Sequence, residues 1–276
     1  MRLLRAGAVC ALMAIAVGSA SAQPPGSLRA FGAQVAPMFE GWYENADGTA
    51  TVLVGFFNAN SEETVEIPVG ELNRFEPGLE DRGQPTHFPP GRSWGVLSIQ
   101  VPRDFDGDLR WVLSANGQPT SMPVHLQPPY FIEPLRDAAD GNEPPTIRFA
   151  SAGAGVTGPP IGIAHTLSAS VGTPIDLSVW TSDVKPEGGG EGGPGGFRRS
   201  ALTLRWHHHS GPGAVEFGET SQRFTDTADQ NPTTTAIFSA PGDYVLRAEA
   251  LDETGAGGGG FQCCWTSALV QVTVSP

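Results

Sequence analysis

Two cysteines stand side by side at Cys263 and Cys264, in a run that reads Gly-Gly-Gly-Gly-Phe-Gln-Cys-Cys-Trp over residues 257–265. Adjacent thiols cannot staple distant strands; bonded to each other they close only an eight-membered ring around one peptide link. The ring is expected as a rigid, exposed apolar knob beside a glycine hinge. Three roles fit it: a structural stiffener at the start of the last strand, a pair of free thiols on opposite strand faces, or a redox or ligand-contact site. Export from the cytoplasm favours the oxidised pair.

His207, His208 and His209 follow Trp206 directly. On a strand, a period of two puts His208 on the same inward face as Trp206 and turns His207 and His209 outward together. Two imidazoles at that spacing hold Zn²⁺ or Cu²⁺ when another strand adds ligands. No nearby residue has ligand spacing, so solvated surface histidines are the competing reading. Asp104, Asp106 and Asp108 alternate around Gly107 and offer oxygen ligands to Ca²⁺. The run lacks a terminal bidentate glutamate, and Asp-Gly is itself a hairpin signal. A further acidic candidate, Asp176 with Asp252 and Glu253, depends on the fold.

The stretch 70–92 reads as a long loop carrying Asn73, Arg74, Glu76, Asp81, Arg82, Gln84, His87 and Arg92. Long ordered loops are often functional, which makes Arg74, Arg82 and His87 binding candidates. Pairing of Arg74 or Arg82 with Glu80 or Asp81 would instead pin the loop down. The sequence has no Gly-x-Ser-x-Gly elbow, His-Glu-x-x-His helix, phosphate loop or dinucleotide fingerprint. Carboxylate pairs for glycoside hydrolysis have no recognisable spacing.

The segments that must position these residues are short and β-like. Residues 1–22 have the parts of a secretory leader: Arg2 and Arg5, an apolar stretch over 6–17, and Ala20-Ser21-Ala22 as the expected cleavage site. That stretch is shorter than the roughly 20 apolar residues a spanning helix needs, and no later segment reaches that length, so the chain is not expected to span a membrane. Lys185 is the only lysine, and loss of the two leader arginines takes the formal charge from -13 to -15. An acidic exported chain argues against nucleic acid and anionic membrane as partners, and leaves protein, carbohydrate or cations. The 36 glycines and 25 prolines, with abundant Val, Thr and Phe, indicate strands joined by tight turns.

The chain divides into a leader (1–22), a flexible arm (23–36), a β-sandwich domain (37–135), a linker (136–162) rich in Ala, Gly, Pro and acid, and a second sandwich (163–276). In the first sandwich, a turn at 45–48 leads to a strand over 49–58 that is apolar on both faces and therefore central. Strands follow over 63–69, pairing next to it, and over 94–101, 109–113 and 120–126, the last after an Asn116-Gly117 hairpin turn. In the second, strands are expected over 164–171, 174–182, 202–206, 215–217, 234–239, 244–250 and 268–274. The glycine-rich stretches 186–196 and 255–264 are expected to meet at one end.

Trp206, the corner formed by Phe238 with Pro241-Gly242-Asp243-Tyr244, and the alternation of Leu246, Ala248 and Ala250 before Asp252 resemble bacterial PKD-like and immunoglobulin-like modules. In such folds the tyrosine hydroxyl bonds back to the chain at the corner. The resemblance implies an all-β architecture of two sandwiches, the second immunoglobulin/PKD-like, and carries no activity, because these modules serve as spacers, adhesion units and carbohydrate-side accessories alike. The first half, around Glu40-Gly41-Trp42 and residues 73–88, resembles a recurrent exported bacterial domain of uncharacterised role. The expectation is a non-enzymatic binding or structural protein of the bacterial cell envelope, periplasmic or secreted after cleavage near Ala22. Its rivals are a polysaccharide-directed hydrolase or accessory and a metal- or redox-linked periplasmic factor.

Overall fold

A computed structural model describes residues 29–133, 135, 141–184, 202–255 and 263–276. The first sandwich contains β1 (Val35–Glu44), β2 (Thr49–Asn58), β3 (Val65–Glu66), β4 (Asn73–Glu76), β5 (His87–Phe88), β6 (Gly91–Pro102), β7 (Arg110–Ala115) and β8 (Gln118–Pro123). Its sheets run β1-β2-β6, β4-β7-β8 and β3-β5. Val52, Val54 and Phe56 on one face of β2 enter a core shared with Phe75, Phe88, Trp111 and Leu113. The β1–β2 turn is closed by Asn45, whose amide donates to Thr49 Oγ1 and Thr51 Oγ1. Asn116 and Gly117 take φ of 52° and 72° between β7 and β8, the left-handed pair that a two-residue hairpin requires.

Three expectations for this half change. The strand expected over 63–69 shrinks to β3, which pairs with β5, and β2 takes β6 as its second neighbour. Pro68 has no N–H to extend the ladder beyond Ile67. The stretch 70–92 contains β4 and β5 and is not a single loop. The described end of the arm is held: Ala33 N–H donates to Asn60 Oδ1 at 2.6 Å, and Val35 is fully buried.

The second sandwich is built from β9 (Thr146–Arg148), β10 (Ile163–Ser170), β11 (Ile175–Ser178), β12 (Trp180–Ser182), β13 (Leu202–Ser210), β14 (Val215–Phe217), β15 (Ser221–Phe224), β16 (Thr233–Phe238), β17 (Gly242–Asp252) and β18 (Trp265–Ser275). One sheet runs β10-β18-β17-β13-β15, with β10 parallel to β18; the opposing sheet runs β11-β16-β14. Leu204, Trp206, Leu246, Ala248, Ala250 and Val270 meet Leu177, Ala236 and Phe238 in the core. Tyr244 Oη donates to Ala240 O at 2.9 Å, which closes the corner expected of it. The second sandwich is immunoglobulin-like. The strand expected over 174–182 breaks in two because β12 leaves its sheet to pair with β9, inside the expected linker. β15 has no counterpart among the expected strands.

Candidate functional site

The strands of both halves alternate normally, yet each half carries apolar or charged residues on its second face. Tyr43 and Leu53 leave the first sandwich from β1 and β2, meet Leu251 and Trp265 from β17 and β18, and enclose Leu135. The outer face of sheet β1-β2-β6 therefore lies against the outer face of the five-stranded sheet. A fully buried leucine or aromatic contributes about 1.5–3 kcal/mol, so this small core holds the halves together. β2 is apolar on both faces because it serves two cores.

A polar cluster lies beside it. On β17, period two places Arg247 and Glu249 on the outer face, opposite His207 and Arg205 of β13 and beside Ser267 of β18. Arg247 Nη1 donates to Glu249 Oε1 at 3.0 Å, to Ser267 Oγ at 3.0 Å and, across the domain boundary, to Trp94 O at 3.4 Å. His207 Nε2 lies 3.0 Å from Glu249 Oε2. From the first sandwich comes Glu40, whose Oε1 accepts from Arg92 Nη2 at 2.7 Å and whose Oε2 accepts from Gly95 N–H at 2.8 Å. The Arg92 guanidinium also lies 4.0 Å from the Trp94 ring centre.

β-bulges create this arrangement. β1 breaks register between Phe39 and Gly41, which leaves Glu40 unpaired in the ladder; β6 breaks register opposite the Val54–Phe56 segment. A bulge re-aims one side chain out of the alternation. Gly55 sits at the meeting point, and a Cβ there would fall 2.3 Å from Ser93 O and on top of the Glu40 carboxylate. Gly95 has φ of +53°, and a Cβ there would strike the Trp265 indole.

Burial pushes the Glu40 carboxyl up to about 7, against the pull of Arg92 and the Gly95 N–H. Burial also pushes Glu249 upward, but Arg247, His207 and Arg205 outweigh it and hold this carboxyl below the usual range. Two carboxyls driven apart in acidity are the pattern of an acid–base pair. The Glu40 side chain, however, is wholly inaccessible and that of Glu249 is 5% exposed. Both carboxyls are closed off from solvent, and through Arg247 and Trp94 O the cluster ties one sandwich to the other.

The histidines do not sit on an open surface. His208 stacks between His87 and Tyr244, with ring centres 4.5 and 5.9 Å away. Burial, with His87 adjacent, pushes its pKa down to about 4. The register breaks between His208 and Ser210, and the bulged His209 is buried against the first sandwich. Its Nε2 lies 2.8 Å from Gly83 O, while Thr86 N–H donates to its carbonyl at 2.9 Å. Burial drives His209 down to about 4 as well. The expected common outward face of His207 and His209 is thus divided between Glu249 and the segment around Gly83.

That segment is docked, not free. Asn73 pins it, donating to Ile67 O and Pro85 O at 2.8 Å each while accepting from Trp111 Nε1 at 2.9 Å. Arg74 pairs with Glu76, not with Glu80 or Asp81, and Glu76 also takes Arg110. Arg82 lies 5.9 Å from the Phe75 ring centre. His87 Nδ1 lies 2.5 Å from Glu66 Oε1. The structure brings His87 to the histidine run and leaves Arg74 on the far pairing with β7.

Cys263 and Cys264 are bonded to each other and fully buried, so they form no exposed knob. Cys263 Sγ lies 3.3 Å from Leu135 O and 3.7 Å from Asn142 O, which puts the ring against the connection between the sandwiches. The glycine-rich stretches at 185–201 and 256–262 lie outside the described residues, so their meeting does too. Asp104, Asp106 and Asp108 are exposed. Asp252 binds Thr254 and Asn142, while Asp176 sits on β11. Among the described residues, no group of three or more His, Cys, Asp or Glu is placed to hold a metal ion.

Glu40, Glu66, Arg247 and Glu249 belong to no chemical motif in the sequence. Arg247 and Glu249 carry one signal, charges alternating with the Leu246–Ala248–Ala250 core stripe, which ordinarily marks a solvated face.

No protein-family model and no curated protein matches the chain. Solved structures similar to it include the D00-D0 domain of intimin, 10% identical, covering 88% of this chain and 100% of that one with a TM-score of 0.28. The Yersinia pseudotuberculosis adhesin InvE is 11% identical over 88% of this chain and 58% of that one, with a TM-score of 0.25. A titin structure, Titin-A168169, is 12% identical over 87% and 100%, with a TM-score of 0.23. At these TM-scores the fold rests on the strand order and the tyrosine corner.

Proposed function

We propose that the chain is an exported, non-enzymatic binding or structural protein of the bacterial cell envelope, in which two sandwiches work as one stiff unit. The observation that supports this reading is the clamp. Arg92 is spent on Glu40 within the first sandwich, and Arg247 and His207 on Glu249 within the second, while Arg247 and His209 reach Trp94 O and Gly83 O across the domain boundary. A rigid two-module body suits presentation of a surface to a protein or carbohydrate ligand. Among the described residues no helix is long and apolar enough to cross a membrane.

Cell fractionation with mass spectrometry tests the proposal. The expected product begins near Gln23, is found in the periplasm or medium, and co-sediments with envelope material. Recovery from the cytosol with residues 1–22 intact, or release of reducing ends from envelope polysaccharide by the purified protein, would overturn it.

A further inference from the structure

We propose that the open edge of β10 pairs antiparallel with β10 of a second copy of this chain, joining two five-stranded sheets into one across a two-fold axis at Leu167. β10 ends its sheet: β18 lies on one side, and among the described residues no strand lies on the other. Val171 N–H donates to Ser275 O at 2.9 Å, so Ala169 and Leu167, two and four residues earlier, also turn their backbone groups to β18. Successive residues of a strand bond to opposite sides. The N–H and C=O of Thr166 and Ser168 therefore point to the open edge. Thr166, Ser168 and Ser170 are exposed.

The composition of that edge is the independent observation. Sheets blunt their edges with charge, proline or bulges, because an open row of donors and acceptors is a template for another strand. The other edge strands of the larger sheets follow this rule. β8 carries Pro119 and Pro123, β11 Asp176, β14 Glu216 and β15 Arg223, and β1, β4 and β6 each carry charge. β10 reads Ile-Ala-His-Thr-Leu-Ser-Ala-Ser, without proline, carboxylate, lysine or arginine. Its bulge lies between Ile163 and His165, ahead of the segment with open groups. The His165 ring is stacked on Phe149, with centres 4.7 Å apart.

A second copy is the occupant that the charges select. The chain carries a formal charge of -13, so two copies repel each other, and least where the facing strips carry no charge. β10 meets itself without setting like charges opposite one another. With the axis at Leu167, Thr166 faces Ser168 of the partner subunit, and Ser168 faces Thr166 of the partner subunit. All four residues have open backbone groups, and each pair exchanges two hydrogen bonds. A slip of one residue would oppose these groups to ones turned towards β18. Thr and Ser hydroxyls at opposed positions add cross-strand bonds. Antiparallel pairing also brings the entry of β10, where Ile161 and Ile163 are 66% and 44% exposed, against the far end of the neighbouring strand. Apolar surface that the single chain leaves in water is thereby covered.

Sedimentation equilibrium of the purified chain over a series of concentrations is expected to show monomer and dimer in exchange. Thr166→Lys combined with Ser168→Lys sets like charges opposite each other in both pairs and should weaken the dimer by at least about 10-fold. Thr166→Lys combined with Ser168→Glu sets opposite charges in the same two pairs and should keep dimerisation within about 3-fold of the parent. Both positions are exposed, so far-UV circular dichroism should be unchanged in each variant. A chain that stays monomeric at every concentration, whether or not its edge takes up a foreign extended peptide, overturns the proposal. So does a dimer that the like-charge variant leaves intact, or one that both variants weaken equally.

Discussion

Glu40 and Glu249 are both removed from water and answer in opposite directions. Glu249 gathers Arg247, His207 and Arg205, and their combined field exceeds the cost of burial. Glu40 has Arg92 and one N–H, which fall short, so its carboxyl rises from 4.5 to about 7. Between those values the folded chain holds a proton that the unfolded chain has released, so the stability from this group is complete below pH 4.5 and is lost as pH rises through 7. Glu40→Gln abolishes that dependence while keeping an acceptor for Gly95. Relative to the parent, the variant should gain roughly 3 kcal/mol between about pH 4.5 and pH 8, because each pH unit separating the folded from the unfolded pKa is worth about 1.4 kcal/mol. Urea unfolding of both proteins at the two pH values measures it; an identical difference at each would show that Glu40 does not drive the dependence. None of this was legible from residue type, because Glu40 precedes Gly41-Trp42 in what reads as an ordinary strand.

Strands were readable and their irregularities were not. β7, β17 and β18 follow from alternation alone, since one apolar face per strand sets a period of two, whereas β2 shows as an unbroken apolar run after a turn. The bulges at Glu40, in β6 and at His209 depend on register with a partner strand, which no single segment encodes. They matter because they aim the interdomain groups. Gly95 shows how tightly: a Cβ at this position would lie 2.0–2.6 Å from ring atoms of Trp265. Gly95→Ala should lower stability by about 1–3 kcal/mol through overpacking, with a further contribution from the left-handed backbone. The urea midpoint should fall and the emission of the buried Trp265 should change, with far-UV circular dichroism preserved. A midpoint equal to the parent's would mean the indole does not rest on that backbone.

Two sandwiches joined by a linker are ordinarily expected to move independently, because interfaces within a chain resemble transient ones. Here the linker is partly structured: β9 belongs to the second sandwich, and Leu135 sits in the core between the two. The ring at Cys263 and Cys264 packs on the same connection. Composition suggests a loose tether because Ala, Gly and Pro give no periodicity, whereas its order comes from contacts made far away in sequence. The outer faces of both large sheets are thus interior surface, and the two halves should unfold together. Arg247→Leu tests this most directly. It leaves Glu249 buried with its main counter-charge removed, a change that typically costs about 3–5 kcal/mol, and it also removes the bond to Trp94 O. The residue lies wholly in the second sandwich, so an independent first sandwich would ignore it. Fluorescence from Trp42 and Trp111, in the first core, and from Trp265, at the boundary, should instead report one transition displaced to lower urea. If single-tryptophan variants retaining Trp111 keep the parent midpoint while those retaining Trp265 shift, the clamp holds the second sandwich alone and the rigid-unit reading fails.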